Sequence, residues 1–136
     1  MSDRAVIHCG DIWIAVHYGG WPEALGKSLE KAVGSAKEDE LDLENKVVKA
    51  ASGHTVDLVL RVEKKDFDRI YNGNALHEYE VLDDRTIKVR ARGRAWSDNI
   101  MSNWYPLEDI LHDKKLRDKM AKEVNDAFHK WKRLRA

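Results

Sequence analysis

The sequence RAVIHCGDIWIAVHY, residues 4–18, contains two runs of β-forming residues, Ala5–Cys9 and Ile12–Val16, on either side of Gly10-Asp11. A two-residue loop that begins with Gly is typical of a β-hairpin, and its length predicts which residues of the two strands face each other. In that register Cys9 faces Ile12 and Ile7 faces Ile14, and the face that carries these pairs is wholly apolar. We therefore predict that this hairpin lies at the centre of a sheet.

Helical spacing of apolar residues predicts two helices after this hairpin and one at the C-terminus. The first two have apolar stripes within residues 25–36 and 43–51, and the last has one within residues 116–134. Pro22 suits the start of the first helix, Ser52-Gly53 suits the end of the second, and Asp113 is a candidate cap or kink before the last stripe. A short helix is also predicted around Phe67, with Asp66 as its N-cap.

Strict alternation of apolar and polar residues predicts a strand at residues 55–63. Two further runs, residues 76–82 and 86–95, predict a second hairpin. The order of the elements predicts an α+β fold in a single domain, residues 1–136. We expect an antiparallel sheet built from the N-terminal hairpin, the middle strand and the second hairpin. The two central helices and the long C-terminal helix are expected to cover one face of it.

The charges of the chain cancel, because 24 Lys and Arg residues balance 24 Asp and Glu residues. Zero net charge excludes a protein that is basic over its whole surface, although it is compatible with a local basic patch. The first 84 residues carry 10 basic and 17 acidic side chains, whereas residues 85–136 carry 14 and 7. The hydrophobic content of 43% excludes simple disorder.

A single cysteine, Cys9, excludes an intrachain disulfide and a CxxC pair. Strand alternation places Cys9 and His8 on opposite faces, so we expect no nucleophile–base pair there. The six histidines show no metal-ligand spacing, and we expect no metal site and no cofactor. The longest uncharged run, residues 12–22, is too short to span a membrane, and no signal peptide is recognisable. We expect a soluble, intracellular, cytoplasmic protein that binds no membrane.

Four cations alternate along one face of the predicted strand that ends near Trp96: Lys88, Arg90, Arg92 and Arg94. A basic strand next to an aromatic side chain is typical of single-stranded nucleic-acid binding. The hairpin register, however, places Glu80 opposite Lys88 and Glu78 opposite Arg90. Only Arg92 and Arg94 are therefore expected to be free.

The C-terminal segment, residues 114–136, holds nine Lys or Arg residues against three acidic ones. Some of these basic residues stabilise the C-terminus of a helix. The density of basic side chains also predicts contact with an acidic partner. Trp and Tyr side chains in the loop at residues 96–105 are candidate interface anchors, although they can equally fold back over the core. The predicted partner-binding residues are Arg92, Arg94, Trp96, Trp104, Tyr105, Lys130, Lys132, Arg133 and Arg135.

The segment HYGGWPE, residues 17–23, joins the first hairpin to the first helix. Its Gly pair precedes the helix start, so backbone N–H groups can converge there on an anion or small ligand. The alternative is structural: the Gly pair makes a tight turn, and the strand ends before it. The residues of this candidate ligand turn are His17, Gly19, Gly20 and Lys27.

The same segment resembles the strand-to-helix junction of some small uncharacterised prokaryotic and phage proteins, which read roughly His-Trp-x-Gly-Tyr-Pro-Glu. The matching positions here, with Tyr and Trp exchanged, are His17, Tyr18, Gly20, Trp21, Pro22 and Glu23. The match covers roughly the first quarter of the chain. The resemblance implies a strand–turn–helix arrangement and a prokaryotic or phage origin, and it implies no activity.

The sequence leaves three functional hypotheses open. The first is a non-enzymatic binding or accessory protein whose basic C-terminal half docks on an acidic protein surface. The second is a nucleic-acid-binding protein that uses Arg92, Arg94 and the C-terminal cations. The third is a small-ligand or enzyme site at His17 and the Gly19-Gly20 turn. The first is favoured over catalysis because no catalytic or nucleotide-binding motif is recognisable, and no oligomeric state is predicted.

Overall fold

A computed structural model describes residues 3–135, which form a seven-stranded sheet flanked by helices. The strands are β1 (Ala5–Cys9), β2 (Ile12–Val16), β3 (Val56–Arg61), β4 (His77–Val81), β5 (Ile87–Gly93), β6 (Ile100–Met101) and β7 (Tyr105–Pro106). The α-helices are α1 (Lys27–Ser35), α2 (Glu40–Ser52), α3 (Lys64–Ile70), α4 (Leu107–His112) and α5 (Lys114–Arg135). A π-helical turn, Pro22–Gly26, precedes α1, and a 3-10 turn, Trp96–Asp98, follows β5.

The sheet has the strand order β3-β2-β1-β4-β5-β6, and the short β7 pairs with β5. The α+β class is confirmed, and so is the register of both hairpins: Cys9 faces Ile12, and Glu78 faces Arg90. The prediction of an antiparallel sheet is wrong at one pairing, because β1 and β4 run parallel. Since β3 lies on the far side of β2, the chain must cross β2 and β1 to form β4. That crossover is why β4 runs in the direction of β1.

Helix α3 lies in this crossover, and its position changes the predicted layering. Helices α1, α2, α4 and α5 pack on one face of the sheet, over a core that includes Ile7 and Tyr79. Helix α3 covers part of the other face, where its Phe67 packs with Trp13 and Trp96. The sheet is therefore covered on both faces, whereas the sequence predicted helices on one.

Local sequence signals set most of the helix ends. Pro22 opens the π-helical turn, and Gly53 follows the last residue of α2, both as predicted. Helix α3 begins after Glu63, so Asp66 lies in its first turn and is not the predicted N-cap. Asp113 caps α5, because its Oδ1 accepts hydrogen bonds from two backbone N–H groups of the first turn.

Candidate functional site

Strand β5 buries one of the two cations that the sequence predicts to be free. Arg92 is 4% exposed. Its Nη1 donates a 2.8 Å hydrogen bond to Glu78 Oε1, and its Nη2 donates one of 2.8 Å to Trp96 O. The prediction that Arg92 is free is wrong, because Glu78 accepts hydrogen bonds from both Arg90 and Arg92. Burial lowers the pKa of the Arg92 guanidinium, and the Glu78 carboxylate opposes that shift.

Trp96 also belongs to the core, at 3% exposed. Its ring packs against Phe67 and Tyr71, and its Nε1 donates a 2.8 Å hydrogen bond to Asp68 Oδ1. The pKa of Asp68 lies below its usual value. Burial acts to raise this pKa, but the hydrogen bonds from Lys64 and Trp96 lower it by more. Trp96 thus folds back over the core, and the prediction that it is a surface anchor is wrong.

Trp104 and Tyr105 are half-buried, and each has a partner within the chain. The guanidinium carbon of Arg90 lies 4.3 Å from the Trp104 ring centroid. The Tyr105 hydroxyl donates a 2.7 Å hydrogen bond to Glu123 Oε1. Burial and the Glu123 carboxylate together raise the pKa of Tyr105. These contacts tie the loop after β5 to the sheet and to α5.

Arg94 lies at the surface, where it stacks on aromatic side chains of α5. Its guanidinium carbon is 4.2 Å from the Trp131 ring centroid and 5.8 Å from that of Phe128. Arg135 lies 4.9 Å from the Trp131 centroid. We call Arg94, Phe128, Trp131 and Arg135 the arginine–aromatic cluster. Arg94 is not free either, because its Nε donates a 3.1 Å hydrogen bond to Asp98 Oδ2.

The sequence assigns Phe128 and Trp131 to the apolar stripe of the last helix and gives them no further role. Both side chains are half-buried, so part of each ring remains at the surface. Arg94 has a left-handed backbone, with a φ of 58°, at the end of β5, and its guanidinium lies over both rings. The sequence carries no signal for that backbone conformation.

The predicted C-terminal cations lie on the last two turns of α5, and all four are exposed: Lys130, Lys132, Arg133 and Arg135. Within residues 3–135, none of them forms an ion pair with an acidic side chain. The last acidic residue of the chain is Asp126, and it pairs with Lys122 at 3.1 Å. Leu134, between these cations, is 78% exposed.

The turn after β2 uses its backbone N–H groups within the fold. The N–H of Tyr18 donates to His54 O at 3.1 Å, and that of Gly20 donates to Asp3 O at 2.8 Å. The Gly20 N–H is therefore not available to an anion, and a ligand at this turn stays a prediction. The structural interpretation of the Gly pair, as a tight turn, agrees with these bonds.

The other two residues of the candidate ligand turn point to different neighbours. His17 Nδ1 lies 3.0 Å from Asp57 Oδ2 on β3, and Lys27 is exposed on the first turn of α1. The close neighbour of Gly19 is His54, since a Cβ on Gly19 would lie 2.9 Å from His54 Nδ1. The turn thus borders a residue that the sequence does not single out.

His54 lines a groove of about 590 Å³ between α1 and α2. The polar residues of this α1–α2 groove are Ser28, Lys31, Ser35, Lys46, Lys49 and His54. The groove residues of each helix are three or four positions apart, so they lie on one face of that helix. This spacing can be read from the sequence. That the two faces meet is decided by the packing of α1 against α2.

Ser28 and His54 do not form a nucleophile–base pair. The Ser28 hydroxyl donates a 3.2 Å hydrogen bond to Ala24 O, so its proton is already directed to the backbone. His54 Nε2, 3.3 Å from Ser28 Oγ, is then the donor of that contact. A general base must instead accept the proton of its nucleophile. In this arrangement the Ser28 proton is directed away from His54.

Cys9 has the properties of a core residue. Burial, followed by the nearby Glu44 carboxylate, raises the pKa of its thiol to about 11. His8 lies on the opposite face of β1 and stacks on Trp13, with ring centroids 3.9 Å apart. The prediction that Cys9 and His8 lie on opposite faces of the strand is confirmed.

Comparison with known proteins identifies no relative: no protein-family model, no curated protein sequence and no solved structure matches the chain. The resemblance at residues 17–23 stays a prediction. In the part of the chain that the structure describes, no group of three or more His, Cys, Asp and Glu side chains is placed to hold a metal ion. No helix between residues 3 and 135 has the length and apolar character needed to cross a membrane.

Proposed function

We propose that this protein is a non-enzymatic binding protein that docks an acidic protein surface on the C-terminal end of α5. The observation that carries the proposal is the row of exposed cations at residues 130–135, none of which has an acidic partner among residues 3–135. Cations near the C-terminus of a helix are favourable for the helix itself. Four cations within six residues, beside aromatic rings, are more than helix stabilisation requires. Their density favours a partner that carries carboxylates.

The arginine–aromatic cluster supports the same proposal. A guanidinium that stacks on an aromatic ring keeps its N–H edge available for bidentate hydrogen bonds to carboxylates. The stacking also reduces the side-chain freedom that Arg135 would lose on binding. Two guanidinium groups already lie over the Trp131 ring. A nucleic-acid base would have to displace them in order to stack there, which favours an acidic protein over single-stranded nucleic acid.

The proposed surface is narrower than the one predicted from the sequence. It uses Arg94 and the four C-terminal cations, whereas Arg92 and Trp96 are buried and take no part. Trp104 and Tyr105 are not included in it, because their contacts within the chain are to Arg90 and Glu123.

The proposal is tested by fluorescence anisotropy with a labelled poly-glutamate peptide and with labelled single- and double-stranded oligonucleotides, each at several salt concentrations. We expect the protein to bind poly-glutamate, with an affinity that falls as salt screens the charges. The variant K130Q/K132Q/R133Q/R135Q is expected to bind at least about tenfold more weakly.

The matched control is K114Q/K115Q/K119Q/K122Q, which removes the same four charges from the same helix. We expect its affinity to stay within about twofold of the wild type, because only the position of the charges differs. An equal loss in both variants would contradict the proposed surface. Binding of oligonucleotides without binding of poly-glutamate would contradict the acidic partner and favour nucleic acid.

A further inference from the structure

We infer that the α1–α2 groove binds a small phosphate-bearing molecule. Its volume of about 590 Å³ lies within the range of small-molecule sites in proteins. The groove belongs to the helical layer on one face of the sheet, and its residues are separate from those of the surface proposed above. The inference is therefore independent of the function of α5.

The charge of the groove carries the inference. Lys31 from α1 and Lys46 and Lys49 from α2 all line it, and no lining residue described by the structure is acidic. Within residues 3–135, none of these three lysines forms an ion pair. Like charges that converge without a counter-ion repel one another, and a bound anion turns that repulsion into attraction.

The second observation is the polar wall beside these lysines. Ser28 and His54 are half-buried and lie in contact, with 3.3 Å between Ser28 Oγ and His54 Nε2. The backbone holds His54 in place, since its N–H donates to Ala51 O at 2.9 Å and its carbonyl accepts from Tyr18 N at 3.1 Å. These contacts fix a polar wall, and the lysine ammonium groups beside it supply the charge and the hydrogen bonds that an anion requires.

The number of cations favours phosphate over carboxylate. A phosphate monoester carries between one and two negative charges and three strong acceptor oxygens near neutral pH. A single carboxylate carries one charge and would leave most of the lysine repulsion in place. Three lysines from two helices match the charge of a molecule with one or two phosphate groups.

The test is titration of the full chain with inorganic pyrophosphate and with ATP, followed by isothermal calorimetry and by amide chemical shifts. Sodium acetate at the same ionic strength serves as the anion control. We expect saturable binding of a phosphate probe, with the largest shifts at residues 28–35, 46–49 and 54, and no saturable binding of acetate. K46Q/K49Q is expected to weaken binding at least about tenfold.

The matched control is K64Q/K65Q, which removes the same charge from α3 on the opposite face of the sheet and is expected to bind as the wild type. The single variant K31Q tests the same groove from α1 if K46Q/K49Q does not fold.

Absence of saturable binding up to about 10 mM pyrophosphate at low salt would overturn the inference. An equal loss in groove and control variants would overturn it as well. Loss of binding in K130Q/K132Q/R133Q/R135Q, with K46Q/K49Q unaffected, would assign the phosphate to α5 and also overturn it.

Discussion

At the scale of single residues, Gly20 shows how one position ties the turn to the sheet. Its N–H donates to Asp3 O at 2.8 Å, and its carbonyl accepts a 2.6 Å hydrogen bond from the buried Tyr79 hydroxyl. Burial raises the pKa of Tyr79 well above its usual value, so this hydroxyl stays protonated and keeps donating. A Cβ on Gly20 would lie 2.6 Å from Asp3 O and 2.7 Å from Ala5 Cβ.

We predict that Gly20→Ala destabilises the protein by about 1 to 3 kcal/mol, because the atoms it would contact belong mostly to the backbone and cannot move aside cheaply. Gly34→Ala is the matched control, since Gly34 is the second-last residue of α1 and a Cβ there meets nothing within 4 Å. It is expected to stabilise the protein by about 0.5 kcal/mol or less through helix propensity. Urea unfolding followed by circular dichroism measures both. A loss of stability in Gly34→Ala as large as that in Gly20→Ala would refute the steric explanation.

At the scale of elements, β5 shows that alternation predicts the face on which a side chain lies, whereas packing decides whether that side chain is buried. The alternation correctly placed Lys88, Arg90 and Arg92 on one face of the strand, and the register placed Glu78 and Glu80 opposite two of them. It did not predict that the turn carrying Trp96 closes over Arg92. That turn is held by a hydrogen bond to α3, which lies far away in sequence.

We predict that Arg92→Ala costs about 3 kcal/mol of unfolding free energy, because it leaves a buried carboxylate at Glu78 with one cation fewer. Arg94→Ala, two residues along the same chain, is expected to cost no more than about 1 kcal/mol, because its ion pair with Asp98 is partly exposed. Thermal and urea unfolding of the two variants provide the comparison. Equal effects in both would mean that burial of Arg92 adds nothing to its ion pair.

At the scale of the whole molecule, the sheet is organised around β1. This strand pairs with β2 on one side and with β4 on the other, and all of its residues except His8 are buried. Both faces of the sheet are packed, one by four helices and the other partly by α3. The end of α5 is the opposite case, since residues 132–135 are all exposed.

We predict that this contrast is visible in native-state hydrogen exchange. The amides of β1 are expected to exchange only through global unfolding, whereas those of residues 130–135 exchange through local fraying. Protection factors in β1 should exceed those at the end of α5 by at least about a thousandfold. Comparable protection in the two segments would show that the end of α5 is held by contacts other than those described.

The sequence by itself determined the elements and their local pairing. Both hairpin registers, the Pro22 helix start and the cap at Asp113 follow from residues a few positions apart. Periodicity and turn chemistry act over that range, so one chain suffices to predict them.

Only the tertiary structure decided how these elements meet. The parallel pairing of β1 with β4, the burial of Arg92 and Trp96 and the convergence of lysines in the α1–α2 groove all join distant segments. The crossover through α3 sets the first two, and the packing of α1 against α2 sets the third. No local pattern encodes such contacts, because their energies depend on which surfaces remain to be covered once the sheet has formed.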